Sequence, residues 1–282
     1  MPFGWFSEIN GMSQYATIKQ VKARTIADLQ EMKNQGKKIT SLTAYDATFS
    51  ALMDQADVDV LLVGDSLGMV VQGHSSTLPV SIQDMVYHTQ SVSRGNQRAF
   101  VIADLTFMAS ATPMQAAQNA ALLIQQGGAQ MVKLEGARLE AIQFMVQQGI
   151  PVCAHLGLLP QSIYQLGKYS VQGKHSEDAE RILSEAKKIE QAGAQMLVLE
   201  CIPAGLAKKI TQQLNIPVIG IGAGVDCDGQ VLVVYDMLGI SLGKIPRFSK
   251  NYMQQTDSIL SAIQAYVDEV KNSQFPLLEH SF

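Results

Sequence analysis

Five short apolar runs in this chain each lead into a side chain that can carry charge. Leu61-Leu62-Val63-Gly64-Asp65-Ser66-Leu67-Gly68 passes into a carboxylate, a hydroxyl and a glycine turn. Val101-Ile102-Ala103-Asp104, Met131-Val132-Lys133-Leu134-Glu135 and Met196-Leu197-Val198-Leu199-Glu200 end in carboxylates, and Pro151-Val152-Cys153-Ala154-His155 ends in an imidazole. One polar residue at the end of one buried strand only marks where that strand leaves the core. A series of them points to a single site assembled at one end of a parallel sheet.

Side chains alternate along a strand, so Lys133 and Glu135 share one face while Val132 and Leu134 share the other. With the valine face toward helices, Lys133 and Glu135 enter the mouth of the sheet beside Asp65 and Asp104. Three carboxylates at close range repel, and a cation relieves that repulsion. Hard oxygen donors favour Mg2+ over Zn2+. Asp65, Asp104 and Glu135, the last acting through water, are therefore the candidate metal ligands, against simple strand capping. Lys133 has three readings: a salt bridge sealing the barrel top, an imine-forming lysine with a depressed pKa, or a fixed ammonium. Neighbouring carboxylates hold a lysine protonated, which favours an ammonium that receives a substrate carboxylate or a developing oxyanion. Glu200 is either a capping or surface acid or a base that removes a proton beside a metal-bound carbonyl. His155 either hydrogen-bonds a substrate oxygen or is a satisfied structural histidine. Ser66 offers its N–H and hydroxyl to a substrate carboxylate, whereas Tyr45, Asp46 and His74 make no such clear offer. Ile219-Gly220-Ile221-Gly222-Ala223-Gly224 lacks the dinucleotide-binding spacing and is read as tight turning at a barrel rim rather than a phosphate loop.

The elements that must position these groups follow from the apolar periodicity. Thr25 with Asp28 predicts a capped helix that stops at Gly36 and can plug the bottom of a barrel. A strand is expected over 39–44, a helix over 47–55, a long loop over 70–79, and a helix capped by Ser81 and ending near Gly95. Further helices are expected over 113–127, 137–148, 177–192, 203–214 and 256–270, with later strands over 217–222 and 231–234. Eight apolar strands, each but the last followed by a helical pattern, predict an α/β fold closed as a (β/α)8 TIM barrel.

At 282 residues the chain suits one such barrel, taken as residues 22–282 behind a flexible N-terminal extension of residues 1–21. A formal charge of −4 with scattered Lys and Arg gives no basic footprint, so nucleic acid is not an expected partner. Cys153, Cys201 and Cys227 form no CxxC pair and suit a reducing, cytoplasmic compartment. No apolar run is long enough to cross a bilayer, and the first twenty residues lack a basic start followed by an apolar stretch, so neither a membrane span nor a secretory signal is expected.

Thr43-Ala44-Tyr45-Asp46, Val63-Gly64-Asp65-Ser66-Leu67-Gly68-Met69, Val71-Gln72-Gly73-His74, Ser76-Thr77-Leu78-Pro79-Val80, Met131 to Gly136 and Ile219 to Gly224 together closely resemble the ketopantoate hydroxymethyltransferase family. Tyr87-His88-Thr89, Asp228-Gly229-Gln230 and Glu279-His280-Ser281 extend the resemblance, which runs from about Lys22 onward. It implies a barrel of the phosphoenolpyruvate/pyruvate type. It also implies transfer of a one-carbon unit from 5,10-methylenetetrahydrofolate, as co-substrate, to 3-methyl-2-oxobutanoate, giving 2-dehydropantoate for pantothenate synthesis. By resemblance, Asp65, Asp104 and Glu135 match Mg2+ positions, and Asp65, Ser66, Asp104 and Lys133 match positions that hold the oxo acid. Glu200 matches a proton acceptor, and His155 an active-site position that binds substrate. The folate-docking residues are left unassigned, and a homo-oligomer, commonly a decamer, is implied. Ala154 and Leu159 stand where relatives often show Gly and Thr, so loop shape near the mouth is expected to differ. A Mg2+-dependent C–C lyase of the same barrel type acting on a 2-hydroxy acid, and a non-catalytic oxo-acid binder, are the alternatives.

Overall fold

The computed structural model describes residues 22–243 and 245–282; the extension assigned to residues 1–21 lies outside the described residues. The expected alternation is realised as β1 (Ile39–Thr43), β2 (Val60–Val63), β3 (Phe100–Asp104), β4 (Met131–Glu135), β5 (Val152–Gly157), β6 (Met196–Glu200), β7 (Val218–Ile221) and β8 (Gly229–Leu232). All neighbours pair in parallel and β8 returns to β1, closing an eight-stranded barrel in sequence order. Around it lie α1 (Ile26–Asn34), α2 (Ala47–Gln55), α3 (Leu67–Val70), α4 (Ile82–Gly95), α5 (Pro113–Gln125), α6 (Leu139–Gln147), α7 (Ile163–Leu166), α8 (Ser176–Gln191), α9 (Ala204–Gln213), α10 (Val234–Met237) and α11 (Ile259–Lys271).

The helices start where side chains can satisfy free backbone N–H groups. Thr25 with Asp28, and Ser81 with Asp84, form capping boxes at α1 and α4. Thr112 caps α5 ahead of Pro113. Asp46, which the sequence placed beyond a strand end, accepts from the N–H groups of Thr48 and Phe49 and is the cap of α2.

Three expectations are corrected. The chain passes from β7 to β8 with no helix between them, and β8 is followed by the short α10. Glycine packing fixes the first: a Cβ on Gly220 would lie 2.8 Å from Cys227 Sγ, and one on Gly224 would lie 2.6 Å from that of Ala204. The Ile219–Gly224 run is thus a tight rim turn, as read from its spacing. Strand β8 also lies two residues earlier than the 231–234 expected. Val234 has left the ladder because its N–H donates to Thr43 Oγ1 at 3.0 Å, where α10 begins.

Alternation divides the strands into two layers. Val63, Val101, Val132, Leu134, Leu197 and Leu199 face the helices in the larger apolar cluster. Val60, Phe100, Ile102, Met131, Cys153, Met196 and Ile219 fill the lower barrel, with Leu29 of α1 fully buried among them, so α1 is the bottom plug that was expected. Burial of such a leucine contributes about 1.5–3 kcal/mol. Beside the plug, the buried Asp59 accepts from Thr40 N and Oγ1 at 2.9 and 2.8 Å. Its other contacts are Arg24, just ahead of α1, at 2.9 Å, and Lys271, the last residue of α11. Among the described residues no helix is long and apolar enough to cross a membrane.

Candidate active site

With the bottom filled by apolar side chains, the inward positions at the upper ends of the strands are left to polar ones. Register sets their order. Asp104 is level with Lys133 across β3 and β4, Glu135 with His155 across β4 and β5, and Gly157 with Glu200 across β5 and β6. Each pair sits one step further round the barrel, so the groups climb along one wall of the mouth. Asp104, Glu135 and Glu200 are the final residues of their strands, as their sequences indicated, whereas β5 continues two residues past His155. Asp65 lies two residues beyond β2, and its N–H donates to Asp104 Oδ2 at 3.1 Å.

Asp65, Ser66, Asp104, Lys133, Glu135, His155 and Glu200 all line one cavity of about 610 Å³. Every expected site residue is therefore brought to one place. Asp65, Asp104 and Lys133 are 4, 4 and 5% exposed, so their charges act on one another with little screening by water. Lys133 Nζ stands 3.0 Å from Asp104 Oδ1. Burial works against the ammonium, but Asp104, Glu135 and Asp65 together outweigh it and hold Lys133 above the ordinary lysine range. That removes the imine-forming reading, which needs a neutral amine. Burial first, and then Asp104, push the Asp65 carboxyl up to about 7. Burial and Asp65 likewise raise Glu135 well above its usual value.

His155 Nε2 lies 3.2 Å from Glu200 Oε2 and Nδ1 lies 3.8 Å from Glu135 Oε1, neither aligned as a full hydrogen bond. Burial, with Lys133 next, holds the imidazole below its ordinary value despite Glu200. A neutral ring can offer one N–H to Glu200 without becoming its charged partner. Glu200 is followed by Cys201 in the left-handed region (φ 48°), a conformation rare for a side-chain-bearing residue, which turns the chain sharply at the cavity wall. The Cys153 thiol, level with Lys133, is pushed up to about 12 by burial and is no nucleophile.

Three further contributors were given no role by the sequence. Tyr45 Oη is 2.9 Å from Ser66 Oγ, which fixes the hydroxyl at the mouth. Gln161, on the turn Pro160–Ser162, gives its backbone N–H to Glu135 Oε2 at 3.0 Å and its Nε2 to Asp65 Oδ2 at 2.7 Å. Asp236, also in the cavity wall, is held by the Ser241 hydroxyl and raised by burial. Tyr45 was visible as a strand-end residue and Asp236 stands two residues beyond the strand expected over 231–234, whereas Gln161 follows a proline turn that does not mark it.

The carboxylate donor set suits a hard cation by chemistry and charge, with the buried Asp104 Oδ1 already facing one cation, Lys133 Nζ, at 3.0 Å. Among the described residues, however, no three Asp, Glu, His or Cys side chains form a closed metal cage. Gln161 and Lys133 occupy the spaces between the carboxylates instead.

The profile of the ketopantoate hydroxymethyltransferase family matches residues 23–277. The chain is 60% identical over 260 residues to the 3-methyl-2-oxobutanoate hydroxymethyltransferase of Nitrosococcus oceani, covering 92% of this chain and 98% of that one. It is 59% identical to the enzyme of the same name from Shewanella loihica, with the same coverage. Among solved structures it resembles 2,3-dimethylmalate lyase, a PEP mutase/isocitrate lyase superfamily member, with a TM-score of 0.55 at 16% identity over 76% of this chain and 82% of that one. A phosphoenolpyruvate phosphomutase from Streptomyces platensis gives 0.57 at 11% identity over 77 and 83%. These structural likenesses speak for the barrel type. Matched by the profile over nearly all its length, the chain belongs to the ketopantoate hydroxymethyltransferase family and is a hydroxymethyltransferase.

Proposed function

We propose that the enzyme transfers a hydroxymethyl group from 5,10-methylenetetrahydrofolate to 3-methyl-2-oxobutanoate, giving 2-dehydropantoate for pantothenate synthesis. The observation that carries this reading is the cavity itself. Its floor gathers Asp65, Asp104, Glu135 and Lys133, while its upper walls include Met69, Val233, Leu242 and Phe248. The volume, about 610 Å³, exceeds what a five-carbon acid fills, and the apolar lining residues leave room for a second, larger substrate.

Asp65 and Asp104 would hold Mg2+, with Glu135 reaching it through water; the donor chemistry supports that set, as do the burial and the repulsion between carboxylates that raise Asp65 and Glu135. Bound there, the cation supplies a Lewis acid to the carboxylate and keto oxygens of the oxo acid. Ser66, steadied by Tyr45, receives the substrate carboxylate. Glu200 takes the proton from C3 and His155 steadies the Glu200 carboxylate beside it. Lys133 stays protonated and faces the negative charge that develops on the keto oxygen. Water takes the methylene carbon from the folate, its two protons going to N5 and N10 as both C–N bonds break, and the C3 carbanion bonds to the resulting formaldehyde carbon while the carbonyl oxygen takes the proton that Glu200 removed from C3. A cytoplasmic location belongs to the same reading and is supported by three free, buried thiols, which suit a reducing compartment. Exposed Tyr87, Phe107, Met108 and Met114 support assembly into a homo-oligomer such as a decamer, which light scattering will size.

The test is NMR of 3-methyl-2-oxobutanoate in D2O with protein and Mg2+, without folate, and again with EDTA. The C3 proton signal is expected to disappear with Mg2+, to persist with EDTA, and to persist with Glu200→Gln. Exchange by Glu200→Gln at the wild-type rate removes Glu200 from the base role. No product after addition of methylenetetrahydrofolate removes the transferase reading.

A further inference from the structure

Among the described residues, Gln161 is the one whose own hydrogen bonds reach two of the proposed metal-holding carboxylates. Both its Nε2 hydrogens are engaged, one with Asp65 Oδ2 at 2.7 Å and one with Leu105 O at 2.9 Å. Its backbone N–H serves Glu135 Oε2 at 3.0 Å. The amide orientation follows from chemistry. Turned over, it would press its oxygen against a carboxylate and a carbonyl, both acceptors. Gln161 thus presents two positive dipole ends to carboxylates that repel one another, Nε2–H to Asp65 and the backbone N–H to Glu135, and a third to the Leu105 carbonyl.

The segment that carries Gln161 is rooted elsewhere. Gly157, at φ +96°, turns the chain back over the mouth; a Cβ there would lie 2.1 Å from Glu200 O. Leu158 N–H bonds Glu200 O at 2.8 Å, and Gln172 N–H bonds Cys201 O at 2.9 Å, so both roots lie at the end of β6. Among the described residues, every hydrogen bond from 159–171 to the β2–β4 side of the mouth is made by Gln161. The same segment supplies Tyr169, Ser170 and Val171 to the cavity wall.

We propose that Gln161 is a positioning residue that stands in for the cation: it holds Asp65 and Glu135 in place until a divalent cation takes Asp65 from it, and that exchange loosens the 159–171 wall. The inference rests on the Mg2+ reading of Asp65, Asp104 and Glu135. A neutral amide relieves only part of the repulsion between the carboxylates. A divalent cation attracts Asp65 far more strongly than an N–H dipole does, so it displaces Nε2. With that tether gone, the wall keeps its roots at the end of β6 but is held on the β2–β4 side by Glu135 and Leu105 alone, and yields there to the larger second substrate. Cation binding thereby precedes and eases folate entry.

The test needs no turnover. Mn2+ binding to the wild type and to Gln161→Met is followed by the EPR signal of free Mn2+ at pH 8, and hydrogen exchange of 159–171 is measured with and without Mn2+. Met keeps the length and bulk of Gln and the backbone N–H to Glu135, but removes the competing donor. The wild-type segment is expected to exchange several-fold faster once Mn2+ is bound. Gln161→Met is expected to exchange fast in both states and to bind Mn2+ several-fold more tightly. Wild-type Mn2+ binding with unchanged exchange of 159–171, or equal Mn2+ affinity in Gln161→Met, overturns the proposal and leaves the metal site standing. Absence of Mn2+ binding by the wild type overturns both.

Discussion

Lys133 and Asp104 stand level on adjacent strands and meet at 3.0 Å, with side chains 6 and 5% exposed. The strand pairing itself sets this ion pair, so the ammonium is in place before any substrate arrives. A charge held in a dry, fixed position stabilises a developing oxyanion better than one that must be reoriented.

Lys133→Met is expected to lower kcat by about 100-fold or more, the scale for loss of one such donor. It also strands Asp104 as an unpaired buried charge, which costs about 3–5 kcal/mol. Adding Asp104→Asn is expected to recover most of the stability and none of the activity. Urea melts of the two single variants and the double variant check this, since neighbours in one network do not add.

Asp65→Asn is expected to stabilise the protein without metal while abolishing turnover. Burial raises the folded-state value to about 7, above that of an unfolded Asp, so the ionised carboxyl opposes folding as pH rises toward and past 7. The gain in Tm is therefore larger at pH 8 than at pH 5.5, on the order of several degrees. Mg2+ is expected to raise the wild-type Tm and leave that of Asp65→Asn unmoved. Scanning calorimetry at both pH values, with and without Mg2+, decides it.

The His155 ring is expected to stay neutral where ordinary histidines titrate, because its folded-state value is depressed. Below about pH 6.5 the unfolded chain takes up a proton that the folded ring refuses. Its contribution is thus present above that pH and lost as pH falls. In 15N NMR its ring signals hold steady from pH 8 to 6, and His155→Gln shows a shallower loss of stability on acidification than the wild type.

Gly157→Ala strikes the Glu200 carbonyl and forces a left-handed backbone on alanine. A loss of about 1–3 kcal/mol is expected. Because the clash lies on Glu200, kcat falls by roughly tenfold or more, as for a misplaced general base. An urea midpoint and kcat both equal to wild type would sink this link between the turn and the base.

The fold was legible because its signal is local. Apolar runs end at Asp104, Glu135 and Glu200, and the strands end on those residues, since an ionisable group cannot continue into a dry core. The caps Thr25 and Ser81 were equally local. The missing helix between β7 and β8 was not legible, because its cause is packing of Gly220 and Gly224 against Cys227 and Ala204. Gln161 was hidden for a similar reason. Its partners are 96 and 26 residues away in the chain, and an uncharged amide after a proline turn carries no pattern of its own. Tyr45 was seen at its strand end, but its role depends on Ser66, 21 residues on.

Asp59 binds Arg24 from the entrance of the chain into the barrel and Lys271 from the last turn of α11. One carboxylate therefore fastens the two ends of the barrel chain together at the bottom, as a clasp closes a bracelet. A ring so fastened resists unravelling from either side of that joint. Loss of Asp59 should turn a single cooperative unfolding transition into fraying that starts at α1 and α11 together, far from the mouth and with the chemistry intact until the β1–β8 seam parts.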